Sequence, residues 1–575
     1  MTGNDTITTD DFAGFYYDFD EGEGNEQFVL RNETDGPLLA TETYYTTGSV
    51  LVVDFESGNL LDIVTGGYNT LGFLAEQYIP ISSDKLSKLL IDEDKSHTLR
   101  AGEPHDLADG YALVPQQIDV NGDKVWMELT KDGVTIEDEV IDISSGGVEY
   151  NYTQTVTGEE DIMTLKVYIK QVFQGQVDSL MIIDGVWQIE DAAIEIKAED
   201  KFGKLEASTI DAESTGIKLI LSDDLTLAGG NEYALIENIK IVVADDDNDV
   251  LRYYVAKTYT APDTYEVRGT AIVTNATGID TGVGAFETYT WDANTFAAFF
   301  YDLDANTQYE NLTITMNGTG ANDNRSVDST DLEYKATIKS ADYKSSNLDT
   351  NGPANFNKIA FLAEEYVPLA LDDASKLSKL LINEDESHTI RAGESYDLAD
   401  GYALLPQQID VNGNKVWMEL TKDGETVDDA VIDIESAGFR YNYSQTVAGE
   451  EDIVTLEVYI KQVFQGQVDS LMIVDGIWQI ADAAIEIKAE DTYGKLEVDS
   501  IDSVITMSNP DEITLTKDTI IDIAGEIKIK VANDDVNTRI YPFIEQTITG
   551  DEDEEPVEEP VEEPVEEPVE EPVEE

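Results

Sequence analysis

The chain has 575 residues, with 120 Asp and Glu against 35 Lys and Arg, a formal net charge of −85 and no cysteine. That charge argues against nucleic acid and anionic lipid as partners, because the field repels polyanions and no Lys/Arg cluster offsets it. The missing cysteine excludes disulfide frameworks, thiolate metal sites and cysteine nucleophiles, and three histidines (His97, His105 and His388) are too few for a multi-histidine metal centre.

From the N-terminus onward there is no charged-then-apolar leader, and nowhere is there an apolar run long enough to cross a bilayer as a helix. The surplus of carboxylates favours a protein of the cell exterior, where salt and divalent cations screen its self-repulsion. FAGFYYDFD at Phe12 and LAEQYIP at Leu74 come first. KLSKLL at Lys85 then sets Leu86, Leu89 and Leu90 on one face and predicts a short helical turn. In YALVPQQIDVNGDKVWMELTKDG, from Tyr111, the pattern alternates Val125, Met127 and Leu129 against Trp126, Glu128 and Thr130, which predicts a strand. Asn121-Gly122 before that strand and Asp132-Gly133 after it predict hairpins, since these residues tolerate positive φ. AIEIKAE predicts a further strand with Ile194, Ile196 and Ala198 on one side.

The segment from Tyr402 to Glu497 repeats that from Tyr111 to Glu206 without a gap, at roughly four positions in five, and the correspondence extends outward. FAAFFYDLD at Phe296 answers FAGFYYDFD, LAEEYVP at Leu362 answers LAEQYIP, and KLSKLLINEDESHTIRAGE at Lys376 answers KLSKLLIDEDKSHTLRAGE. Each copy is far longer than a solenoid unit, so this is a tandem duplication of one large module. The copies diverge between about Glu21 and Gly72 and between Ala305 and Ile359, and YEVRGTAIV from Tyr265 leads into copy two without a counterpart in copy one. That asymmetry carries the expectation of a signal peptide and a first strand ahead of Met1. The division is 1–262 for copy one, 263–549 for copy two and 550–575 for an acidic Pro/Val/Glu tail. The tail's last 25 residues hold 15 acidic ones and nothing apolar larger than Val, so it is expected to be disordered and extended, a spacer of about 3 Å per residue. Short alternating strands, frequent turns and no long amphipathic helix give an all-β class, with each module long enough for two β-sandwiches.

The chemistry-bearing residues are sparse. Against 120 acids no acid/base pair stands out, and no serine-hydrolase elbow, phosphate loop or dinucleotide fingerprint occurs. Asp119, Asn121 and Asp123 occupy alternate positions as in a calcium loop, but the bidentate Glu is missing, Asn414 replaces Asp123 in the second copy, and a hairpin turn explains the same residues. Asp245, Asp246 and Asp247 form a second acidic run, for which a solvated loop is the simpler account. His97 and His388, equivalent in SHT(L/I)RAGE, read as structural residues. Trp126, Trp187, Trp417 and Trp478 occupy matched strand positions, where core packing outweighs sugar stacking. Glycosylation sequons stand at Asn4, Asn32, Asn151, Asn275, Asn311, Asn317, Asn324 and Asn442, with Asn151 and Asn442 equivalent.

IDVNG(D/N)KVWMELTKDG, VFQGQVDSL, the (V/I)WQI strand, KLLIDEDKSHTLRAGE and EIKAEDKFGKLE together resemble the tandem-duplicated S-layer domain of methanogenic archaea, in order and in both copies. The resemblance implies two β-sandwich subdomains per copy joined by linking strands, and a non-enzymatic, extracellular subunit that assembles with copies of itself into a porous, negatively charged lattice. It also implies that the acidic tail precedes a C-terminal membrane anchor, which this sequence does not contain. No cofactor is expected beyond calcium or other divalent cations bridging carboxylates. The alternatives are a cell-surface adhesin or carbohydrate-binding protein, and a secreted hydrolase using an unrecognised acid pair.

Overall fold

The computed structural model describes residues 4–31, 37–60, 67–144, 146–174, 179–236, 238–245, 251–275, 278–280, 285–286, 288–316, 325–349, 355–412, 414–434, 438–465, 470–534 and 537–549; the tail lies outside them. Strands dominate throughout, and the one α-helix among the described residues is the four-residue turn Ser346–Asp349. In copy one an antiparallel six-stranded sheet runs in the order Asn4–Thr8, Gln27–Arg31, Tyr44–Thr46, Gly216–Leu221, Leu205–Asp211, Lys201–Phe202. It packs against the three strands Glu232–Ile236, Ile239–Val243 and Tyr253–Lys257 around Phe28, Leu30, Tyr45, Leu219, Ile239 and Ile241. This is the inner sandwich.

The outer sandwich sets a four-stranded sheet, Val134–Asp142, Lys124–Lys131, Tyr111–Asp119 and His105–Asp106, over one end of a seven-stranded sheet. Val125, Met127 and Leu129 point into its core as the alternation predicts, meeting Leu165, Val167 and Ile183. Three strands of the larger sheet are long: Lys85–Arg100 and Glu159–Gln174 with 16 residues each, and Ser179–Glu195 with 17. At about 3.3 Å per residue they extend some 50 Å. Lys85–Arg100 contributes Leu86 to the inner core and Leu99 to the outer one, so one strand builds both sandwiches. At the waist between them, Phe55, Leu60, Trp187 and Ile189 form a separate cluster.

Copy two repeats the plan, with outer strands Tyr396–Asp397, Tyr402–Asp410, Lys415–Lys422 and Glu425–Asp433, and long strands Asp373–Arg391, Glu450–Gln465 and Ser470–Glu486. It differs at the inner sandwich, where the three-stranded sheet of copy one has a seven-stranded counterpart. Asp263–Arg268 and Ile272–Asn275, the lead-in without a partner in copy one, both pair with Thr538–Ile548.

Four local expectations are corrected. KLSKLL is strand, not helix. Leu86 enters the inner core while Leu89 packs on the waist cluster, so both faces of the strand are covered and apolar residues recur at a spacing that imitates a helix. The Asn121-Gly122 hairpin is a four-residue loop in which positive φ falls on Asp123, at +49°, and in copy two on Asn414, at +48°. Asp132-Gly133, by contrast, is a two-residue turn with φ of +51° and +75°, as expected of type I′. AIEIKAE leaves the strand at Glu195, so Ile194 is 39 % exposed while Ile196 is buried; the backbone then turns, with Asp200 accepting the Lys197 N–H at 2.7 Å. Trp187 and Trp478 are core residues, but Trp126 and Trp417 are 40 % and 37 % exposed on the outer faces of the four-stranded sheets. Their neighbours in the alternation, Val125 and Met127 or Val416 and Met418, take the inward positions.

Candidate functional site at the junction of the two copies

The residues singled out in the sequence are scattered. Asp119 ends its strand, and its carboxylate accepts the Gly122 N–H at 3.0 Å, while the Asp123 carbonyl accepts the Ile143 N–H at 2.8 Å. Asn121 lies between them in the loop, so these groups serve the turn. Among the described residues no group of three or more His, Asp or Glu is arranged to hold a metal ion. Asp245 stands at the junction described next; Asp246 and Asp247 lie outside the described residues. His97 Nε2 is 3.0 Å from Glu93, its ring centroid lies 4.6 Å from that of His105 with the planes tilted, and His388 repeats the contact with Glu384. Asn151 and Asn442 are exposed on equivalent strands, Val148–Val156 and Phe439–Val447, and Asn311 is half-buried on Glu310–Thr315. Asn4 and Asn275 lie in strands, whereas Asn32, Asn317 and Asn324 fall outside the described residues.

What the fold does bring together is the repeated FYYDFD/FFYDLD segment of each copy and an arginine of the other. Arg539, 6 % exposed, donates to the carbonyls of Phe19 (2.8 Å), Asp20 and Glu21 (3.2 Å), while the Asp20 carboxylate accepts the Asn533 N–H at 2.6 Å. Gly22, at φ +74°, lies so close that a Cβ there would meet the Arg539 guanidinium at 2.4 Å. Reciprocally, Arg252 donates to the carbonyls of Leu303 (3.1 Å) and Asp304, and the Asp304 carboxylate accepts the Asp245 N–H at 2.6 Å. The two arginines are equivalent in register: Ala244 donates its N–H to the Arg252 carbonyl and Ala532 to that of Arg539, each at 3.0 Å. One extra contact runs a single way, because only copy two has the lead-in: Arg268, on Asp263–Arg268, reaches the Thr9 carbonyl at 2.5 Å and covers the Tyr17 ring.

Each arm is rooted on a buried glutamate. Glu26 accepts the Tyr16 N–H at 2.7 Å, the Tyr45 hydroxyl at 2.6 Å and the Ala75 N–H at 2.8 Å. Glu310 accepts from Tyr334 (whose hydroxyl also takes the Leu362 N–H) and from Ala363 at 2.9 Å. These contacts hold Leu74-Ala75 and Leu362-Ala363 in a left-handed turn that such residues rarely adopt. Burial pushes both carboxyls up to about 7, against the opposing pull of their hydrogen bonds.

The first arm also walls a cavity of about 720 Å³ between the copies, lined by Asp18, Asp20, Asp54, Glu56 and Asp92 of copy one and by Asp518 and Lys530 of copy two. Burial, then the charges of Asp20 and Asp92, push Glu56 up to about 7. Burial likewise pushes Asp92 up to about 6 despite its hydrogen bonds from Tyr68 and the Glu56 N–H. Arg252, Arg539, Glu26 and Glu310 were not singled out from the sequence. The signal that was available is a repeated arm with a repeated arginine, but nothing local pairs an arm with the arginine of the opposite copy, 520 positions away for Phe19 and Arg539 and 51 for Arg252 and Leu303.

The model of a family described as S-layer protein matches residues 1–245 and 281–533. The chain is 38 % identical over 571 residues to a major S-layer protein of Methanosarcina acetivorans, covering 96 % of this chain and 82 % of the relative. Proteins of the same description from Methanosarcina mazei and Methanosarcina barkeri are 38 % and 37 % identical, covering 96 % and 95 % of this chain and 81 % and 80 % of themselves.

Proposed function

The chain belongs to the S-layer protein family, and from that premise we propose that it works by covering area, as a negatively charged sieve, with no substrate to turn over. It is a structural subunit of the surface layer at the cell exterior, and it associates with further copies of itself. The observation that carries the sieve reading is the charge on a body of two all-β modules, −70 once the 15 acidic residues of the tail are taken from −85. Pores between such bodies would concentrate cations, repel anionic solutes and exclude macromolecules by size.

Contacts that propagate in a plane are heterologous or cyclic, and divalent cations, calcium among them, would offset repulsion between facing carboxylates. The modules are divided at 262/263, the tail from 550 acts as a spacer toward a membrane anchor, and Asn151 and Asn442 are the sequon pair best placed to carry glycan on an open strand face. Nucleic acid has no part in this reading. Electron microscopy of the purified chain, concentrated with salt and calcium, is expected to show ordered sheets that chelator disperses at low salt. Isolated particles under every ionic condition would overturn self-assembly by these modules, and sheets that survive chelator would overturn cation bridging. The exposed Trp126 and Trp417 favour one second reading, carbohydrate binding; glycan-array binding lost in Trp126→Ala/Trp417→Ala would support it.

A further inference from the structure

We propose that the two arms and the two arginines form a two-point latch that makes the tandem copies a single rigid body. Each half of the latch takes one element from each copy, and the halves are equivalent: Arg539 holds the arm of copy one as Arg252 holds the arm of copy two. Such a contact is isologous, the arrangement of a two-fold dimer, realised here within one polypeptide.

Three features make it a latch and not an incidental contact. The arginines bind main-chain carbonyls, which a guanidinium fork satisfies with several donors at once and which side-chain divergence between Phe19 and Leu303 leaves unchanged. The carboxylates of Asp20 and Asp304 add a side-chain acceptor to those carbonyls by taking the main-chain N–H of Asn533 and Asp245, so in each half the arm supplies every acceptor and the arginine's copy every donor. The arms are also fixed before they reach the partner, since the Tyr16 N–H is held by buried Glu26 and Phe300 is held in the same way beside Glu310. An ordered arm loses little freedom on capture, which favours the closed state.

The latch is independent of lattice formation, and dilute monomer suffices to test it. The absence of cysteine allows spin labels at Thr135→Cys and Thr426→Cys, exposed and equivalent positions on the two outer sheets. The labelled chain is expected to give one narrow distance population, which broadens at least about threefold when Arg252→Ala and Arg539→Ala are added. A broad population before any arginine is changed, or a narrow one after both are, overturns the proposal. Because buried Arg539 also supports its own sheet, Arg252→Lys/Arg539→Lys provides a milder pair. Amide exchange is expected to rise about tenfold over 19–23 and 303–306, with the outer sandwiches unaffected; unchanged exchange at both arms likewise overturns it.

Discussion

The waists of the two copies share a backbone and carry opposite electrostatics. In copy one Lys166 lies 3.6 Å from Glu149 and 5.4 Å from the Phe55 ring centroid. In copy two the equivalent positions hold Glu457 and Arg440, so the signs are exchanged, and the Arg440 guanidinium lies 5.1 Å from the Tyr343 ring centroid. Close by, Asp92 accepts the Glu56 N–H at 3.1 Å and the Tyr68 hydroxyl at 2.8 Å, whereas Asn383 accepts the Lys344 N–H at 3.0 Å beside Phe356. The main-chain hydrogen bond persists while the charge around it is rewritten. Backbone geometry at the waist is thus set by what the side-chain oxygen accepts, and the sign of a buried pair is free to invert provided both members change together, because one uncompensated buried charge is costly.

The largest expected effect comes from breaking that rule. Glu457→Lys sets two cations side by side in a buried site and is expected to destabilise copy two by about 4 kcal/mol, seen as an early calorimetric transition. Adding Arg440→Glu recreates the polarity of copy one and should restore most of the loss; a double variant no more stable than the single one would show that the frames are not interchangeable. Next in size is Asp92→Asn, which makes copy one resemble copy two. The folded-state value of Asp92 is raised to about 6, so its stabilising contribution is complete below about pH 4 and is lost as pH rises through 6. The Asn variant should therefore gain about 1–2 kcal/mol at pH 8 and nothing at pH 4, by thermal denaturation at the two pH values. A gain independent of pH would assign the effect to packing. The smallest effect is the exchange of Asp123→Asn or Asn414→Asp, expected within about 0.5 kcal/mol because both tolerate the left-handed φ there. Asp123→Val should cost about 1–2 kcal/mol by chemical denaturation, and equal stability would remove φ as the determinant of that residue.

The all-β class and the sandwiches were legible in KVWMELT, Asp132-Gly133 and the long repeat, because period-two burial and positive-φ turns are local properties. KLSKLL misled because its strand is covered on both faces by different cores, a tertiary fact with no trace in spacing. Trp126 was placed correctly by alternation yet assigned to the core by residue type, and alternation was the better guide. The charge inversion between Glu149/Lys166 and Arg440/Glu457 was visible on aligning the two copies, since two positions change sign together. The latch was half legible: the arms stood out as repeats, but their arginines belong to the opposite copy.

In each copy one long strand, Lys85–Arg100 or Asp373–Arg391, runs from the inner sandwich past the waist into the outer one. A pull along its length loads the antiparallel hydrogen bonds in shear, many at a time, where a pull across a hairpin would unzip them one by one. A module therefore has no weak seam between its two sandwiches, and a coat under osmotic tension would yield at the contacts between modules before any module tore.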